Sequence, residues 1–297
     1  MANLYQERSN NLFRTWALML GFFLLVILVG WGISFYYSDP SILYIAVGIA
    51  LVMNVGSYWF SDKLVLSMTH AKPASREEYF DLYTVTENLA ITAGLPMPKL
   101  YVINDPAPNA FATGRDEKHA VVATTTGLLA ILDRTELEGV IAHELSHIKN
   151  RDMLVMTVAV VLAGFLAIIA DIFLRASMFG GGDRDSKAGV LFAVLAVVGI
   201  ILAPIAAQLI QLAISRRREY LADASGALLT RYPEGLASAL RKISAHATPM
   251  KSANHATAHL FIGNPFGNRA GKAINGLFAT HPPVEKRVQA LLGVKAQ

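Results

Sequence analysis

The sequence predicts a mainly α integral membrane protein, with four transmembrane helices and a polar α+β domain built on a small sheet. Three observations carry that expectation. Only 16% of the 297 residues are charged and 54% are hydrophobic, with a mean hydropathy of +0.42; a soluble domain carries about 25% charge. Four runs free of Asp, Glu, Lys and Arg hold the apolar excess. Between them lie polar segments with strand and helix-cap signals.

The runs contain 24 residues before Asp39, 22 before Asp62, 18 before Asp171 and 28 before Arg216. A helix needs roughly 20 apolar residues to cross a bilayer. The third run is the shortest, but Asp171 lies near its far end, where it reaches the interface. Trp16 and Trp31 flank the first run and Trp59 ends the second, the placement of interfacial aromatic rings. The first run exceeds the apolar core of a signal peptide, and Phe35, Tyr36 and Tyr37 offer no small cleavage-site residue, which favours an uncleaved anchor.

Two hairpins place residues 1–14, 62–152 and 216–297 on one side of the membrane. Arg8, Arg14, Lys63, Lys149, Arg151 and Arg216 to Arg218 flank that side. The first hairpin tip has no Lys or Arg, while the second has Arg175, Arg184 and Lys187. The positive-inside rule then makes the polar segments cytosolic. The chain divides into a first hairpin (1–61), a polar segment (62–152), a second hairpin (153–215) and a second polar segment (216–297).

In the first polar segment, Ser75 with Glu78 is a capping box for a helix that ends at Gly94. Residues 100–103, 109–114 and 119–125 read as strands. Thr135 with Glu138 opens a helix that runs to Asn150. In the second segment a helix continues from the fourth run to Leu228. Another starts near Pro233 with Leu236, Leu240 and Ile243 on one face, and Pro282-Pro283 opens a last short helix. Residues 247–276 lack periodicity and read as a mobile loop.

The net charge of +4 is too small to argue for nucleic acid. With no cysteine, disulfides, thiolate catalysis and cysteine-ligated metals are excluded, so a bound metal takes imidazole or carboxylate ligands. His143-Glu144-Leu145-Ser146-His147 supplies them: the spacing puts both imidazoles on one helical face, with Glu144 beside a metal-bound water. A catalytic zinc takes three protein ligands. Glu219 is the candidate third, and Asp223, one turn later, would accept a hydrogen bond from a ligating imidazole. A membrane hairpin returns Glu219 towards the histidines despite the 71 intervening residues. His255 and His259 repeat the spacing without an adjacent carboxylate and read as a loop feature.

Residues 143–152, the four spans and residues 219–223 together resemble the HtpX heat-shock membrane proteases, relatives of the prenyl-protein endoproteases. The resemblance extends over residues 109–114 and over Thr280, His281, Pro282, Pro283 and Arg287. It implies a gluzincin-type, zincin-like catalytic domain holding one Zn2+ on His143, His147 and Glu219, with a cytosolic site in a bacterial inner membrane. It also implies membrane-protein quality control beside an FtsH-type ATP-dependent protease. In that reading Glu144 is the general base and His281 an oxyanion donor organised by Arg287. Asn109 contacts a peptide laid along the strand edge at 109–114 or 119–125. The alternatives are a metal-handling membrane transporter, which would carry ionisable residues mid-span, and a zinc-stabilised scaffold, which would show a fourth protein ligand.

Overall fold

The computed structural model describes residues 2–179, 197–198, 201, 216–252, 257–267 and 282–293. The chain falls into two units, one from Met1–Leu12, Phe60–Thr157 and Ile214–Gln297, the other from Phe13–Trp59 and Val158–Ala213.

The apolar unit holds most of α1 (Ala2–Tyr37) and all of α2 (Pro40–Trp59). Only Ser38 and Asp39 separate them. The Ser34 hydroxyl donates to the Asp39 carbonyl at 2.8 Å, and the Asp39 carboxylate caps α2 by accepting the Ser41 N–H at 3.0 Å. Gly30 packs directly against Ala46, and Trp16 stacks on Tyr58 with ring centroids 6.1 Å apart. Leu24, Leu28, Ile45 and Val52 stay exposed, a pattern that suits lipid better than water. Among the described residues Ser9–Tyr37, Pro40–Trp59 and Asp152–Asp171 are long and apolar enough to span a bilayer. The expected fourth span, residues 188–215, lies outside the described residues except for 197–198 and 201.

In the polar unit, α3 (Ser61–Met68) leads to β1 (Lys72–Pro73), α4 (Phe80–Ala93), β2 (Lys99–Ile103), β3 (Ala110–Thr113) and β4 (Val121–Thr125). Then come α5 (Thr126–Ile131), α6 (Arg134–Asn150) and the start of α7 (Asp152–Phe179). The described part of the second polar segment contains α8 (Arg216–Thr230), α9 (Pro233–Ala245) and α10 (Val284–Leu292). The sheet order is β1-β2-β4-β3, with β2 and β4 parallel and the outer pairs antiparallel. Of the two strands expected to offer an edge, β4 is therefore interior, paired on both sides, and only β3 lies at the rim. The two-residue β1 is too short to show as alternation; its Pro73 suits a sheet edge.

Two expected caps move. The Ser75 hydroxyl does accept the Glu78 N–H at 3.2 Å, but it closes an isolated turn. Tyr79, at φ −118° and ψ 49°, leaves helical geometry, so α4 starts at Phe80. It ends as expected on Gly94 at φ 69°. The box that opens α6 is Asp133 with Glu136, not Thr135 with Glu138: Asp133 accepts the Glu136 N–H at 2.9 Å and Glu136 reaches back to the Asp133 N–H at 2.9 Å. Thr135 instead donates its hydroxyl to Asp133.

Of the stretch expected to be a mobile loop, residues 257–262 are buried. Their backbone is irregular, but Ile262 N–H donates to Ala110 O at 2.9 Å and Phe261 packs edge-on against Phe111. Lack of periodicity reported lack of helix or strand, not lack of packing.

Candidate metal centre

Helix α6 is the middle of the polar unit, packed by α4, α8, α9 and β3. It is buried nearly all round, so no polar face marks it as a surface helix. Close approach depends on two glycines. A Cβ on Gly139 would stand 2.6 Å from the Leu236 nitrogen of α9, and one on Gly226 would stand 3.0 Å from the His143 nitrogen. Gly226 shares a face of α8 with Glu219 and Asp223, which precede it by seven and three residues. Contact at Gly226 therefore brings Glu219 over the histidines.

The resulting donors form a small triangle. His143 Nε2 and His147 Nε2 are 3.2 Å apart, and the Glu219 carboxylate oxygens lie 3.8 Å from the first and 3.6 Å from the second. Ligands about 2.0 Å from a tetrahedral zinc are about 3.3 Å apart. This donor set fits a metal ion of that size, and among the described residues it is the one such group.

Each imidazole is held from behind. His143 Nδ1 is 3.0 Å from Asp223 Oδ1, and His147 Nδ1 is 3.2 Å from Asp152 Oδ2. With both Nδ1 atoms turned to carboxylates, the Nε2 lone pairs face the centre. Asp223 is itself gripped by Arg287, whose Nε and Nη2 donate at 2.8 and 2.6 Å. Arg287, expected to organise His281, is a buried fork on Asp223, with Nη1 3.9 Å from Glu219. The sequence alone assigns no role to Asp152. It follows a single left-handed residue, Arg151 at φ 57°, which ends α6 and turns the next side chain back towards His147. No helical period announces such a contact.

Burial and charge set the proton affinities. Burial of Glu144 pushes its carboxyl up to about 7, against the pull of His147 and of a hydrogen bond from the Ala112 N–H. Burial keeps His143 low, hence neutral. For His147 burial acts in the same sense, but Asp152 and the Glu219 charge prevail and raise it to about 9. Burial would raise Asp223 as well; the Arg287 and His143 bonds hold it at about 2.

Asn109 is buried at the start of β3, its amide donating to Gly263 O at 3.0 Å and accepting the Gly263 N–H at 2.9 Å. His259 is buried in a short 3-10 turn (Ala258–Leu260) and lies outside the donor triangle. His281 and His255 lie outside the described residues.

The sequence profile of Peptidase family M48 matches residues 77–295. A "Protease HtpX homolog" of Caldanaerobacter subterraneus is 44% identical over 295 residues, 97% of each chain. Another, of Syntrophobacter fumaroxidans, is 48% identical over 285 residues, covering 94% of this chain and 98% of its own. One of Pyrococcus furiosus is 51% identical over 262 residues, 88% of this chain and 89% of its own. The crystal structure of S. mikatae Ste24p shares the fold at a TM-score of 0.51 and 17% identity, over 98% of this chain and 67% of that one. Two histidines and a glutamate converging on one point, in a chain with membrane-length apolar helices, thus sit where near-full-length similarity also leads: the protein belongs to peptidase family M48 and is a membrane metalloprotease.

Proposed function

We propose that the protein is a zinc-dependent endopeptidase that cleaves misfolded or damaged membrane proteins at the cytosolic surface of a bacterial inner membrane. The observation that carries this reading is the triangle of three donors with Glu144 beside it. Three protein ligands leave a position for water, as catalytic zinc sites do, whereas a structural site closes with a fourth. Imidazole and carboxylate donors in tetrahedral spacing favour zinc. The four-span topology with both termini cytosolic rests on the apolar runs and on the Lys and Arg that flank the polar segments. Roles in quality control and stress, and partnership with an FtsH-type protease, rest on the HtpX resemblance.

His143, His147 and Glu219 would hold the metal. When bound, it supplies a Lewis acid and an acidified water. Glu144 removes a proton from the water that attacks the scissile carbonyl and delivers it to the leaving nitrogen. Glu144, buried and next to the ligand His143 in the chain, is placed for both transfers. An extended peptide is received beside β3, at the part of its rim not already taken by the Ile262 N–H on Ala110 O, with Asn109 fixing that rim through Gly263. His281 donates to the developing oxyanion, with Arg287 organising the segment that carries it.

The test is incubation of detergent-purified protein with zinc and an unfolded membrane protein. Wild type should generate fragments and a chelator should stop it. Glu219→Ala should lose both bound zinc and cleavage; full zinc occupancy in that variant would refute the ligand assignment.

A further inference from the structure

The metal centre described above uses residues of the two polar segments, yet its outermost partner comes from the first helix. Asn11, near the start of α1, is completely buried in the polar unit. Its Nδ2 donates to Asp152 Oδ1, the oxygen opposite the one that holds His147, and to Asn150 O at 3.1 Å. Its Oδ1 accepts from Arg218 Nη1 at 3.3 Å. Asp152 and the Asn150 carbonyl can only accept, and Arg218 can only donate, so the amide has one orientation. The three partners are telling. Asp152 orients one ligand, Asn150 ends the helix that carries two, and Arg218 is the neighbour of the third. Asn11 therefore joins the elements that carry all three ligands.

A lone Asp152 carboxylate has freedom to rotate and to take other donors. A fixed amide on one oxygen leaves the other pointed at His147 Nδ1, and that bond in turn sets the direction of the Nε2 lone pair. Burial strengthens the effect, because a buried carboxylate without its donors is costly and would repack.

We propose that Asn11 is a positioning residue of the metal centre, acting through Asp152 on His147, so that the first turns of α1 are part of the site. The inference rests on the metal reading above. Wild-type protein that binds no metal would defeat that reading, whereas wild-type binding that is indifferent to Asn11 would defeat only this one.

The experiment uses the full chain in detergent and compares wild type, Asn11→Leu, Asp152→Asn, the double variant, and Asn10→Leu on the exposed side of the same turn. Zinc affinity is read by competition with a chromophoric chelator, and ligand geometry by the visible spectrum of the cobalt-loaded protein. Asn11→Leu should weaken zinc about tenfold or more and alter the cobalt spectrum. Asp152→Asn should do the same, the double variant should lose little beyond either alone, and Asn10→Leu should match wild type. A purely structural Asn11 would shift thermal unfolding of the metal-free protein but leave the cobalt spectrum of the folded protein unchanged; that result overturns the proposal. Additive losses in the double variant overturn it also, because Asn11 would then not act through Asp152. If Asn11→Leu does not fold, Asp152→Asn decides: an unchanged affinity and spectrum there removes the only link through which Asn11 is held to act.

Discussion

Glu144→Gln separates three properties that act together in the wild type. The substitution keeps the size of a fully buried side chain and its capacity to accept the Ala112 N–H, but removes the ionisable oxygen. Because Glu144 is not one of the donors, zinc affinity should be retained. Cleavage should fall by roughly a hundred- to ten-thousand-fold, the usual contribution of a general base. Stability should move in the opposite direction. The carboxyl rises from 4.5 to about 7 in the folded, metal-free protein. Its contribution to stability is complete below the unfolded value and is lost as the pH rises through the folded one. That gap corresponds to about 3 kcal/mol, an upper figure for a single buried group. Chelated Glu144→Gln should therefore gain on chelated wild type between pH 4.5 and about 7, with a constant difference above that. Thermal unfolding in detergent across this range, with zinc titration and fragment assays at one pH, tests all three. Unchanged cleavage refutes the base; loss of zinc shows Glu144 to be a ligand; a pH-independent stability difference refutes the buried, raised carboxyl.

Two further outcomes follow from the same geometry. With His147 raised to about 9, the metal-free site carries a proton among its donors at neutral pH, and metal must displace it. Zinc affinity should rise about tenfold per pH unit between 7 and 9, with release of about one proton at pH 7, measured by calorimetry in buffers of different ionisation enthalpy; a flat affinity refutes the assignment. Arg287→Ala leaves the Asp223 carboxylate buried without its fork and should cost roughly 3–5 kcal/mol in thermal unfolding. An unchanged midpoint would mean that Asp223 finds another partner.

Local rules served where the interaction is local. Gly94, the Pro233 helix with its apolar face, and the i, i+4 pairing of His143 and His147 all depend on residues within a turn or two, and the structure contains them. Those rules failed where two local solutions compete. Asp133 and Thr135 each have a glutamate three residues on, and either could open α6. The chain takes Asp133, whose Glu136 is also held by Lys242 and Ser238 of α9, a choice made by tertiary contacts. Irregular sequence likewise concealed the packing of residues 257–262, since apolar burial needs no period.

The sequence by itself determined the class of chemistry: no cysteine to bind metal, two histidines one turn apart, a glutamate between them, and apolar runs of bilayer length. Composition and short-range periodicity suffice for that. Only the tertiary structure decided which carboxylate stands behind each imidazole, that Arg287 grips Asp223, and that β3 sends the Ala112 N–H to Glu144. The reason is physical. Most of those contacts join distant segments, as far apart as His143 and Asp223, and their geometry depends on the path of the backbone between them. A glycine at 226 and a left-handed turn at 151 set that path, and neither declares its partner in the sequence.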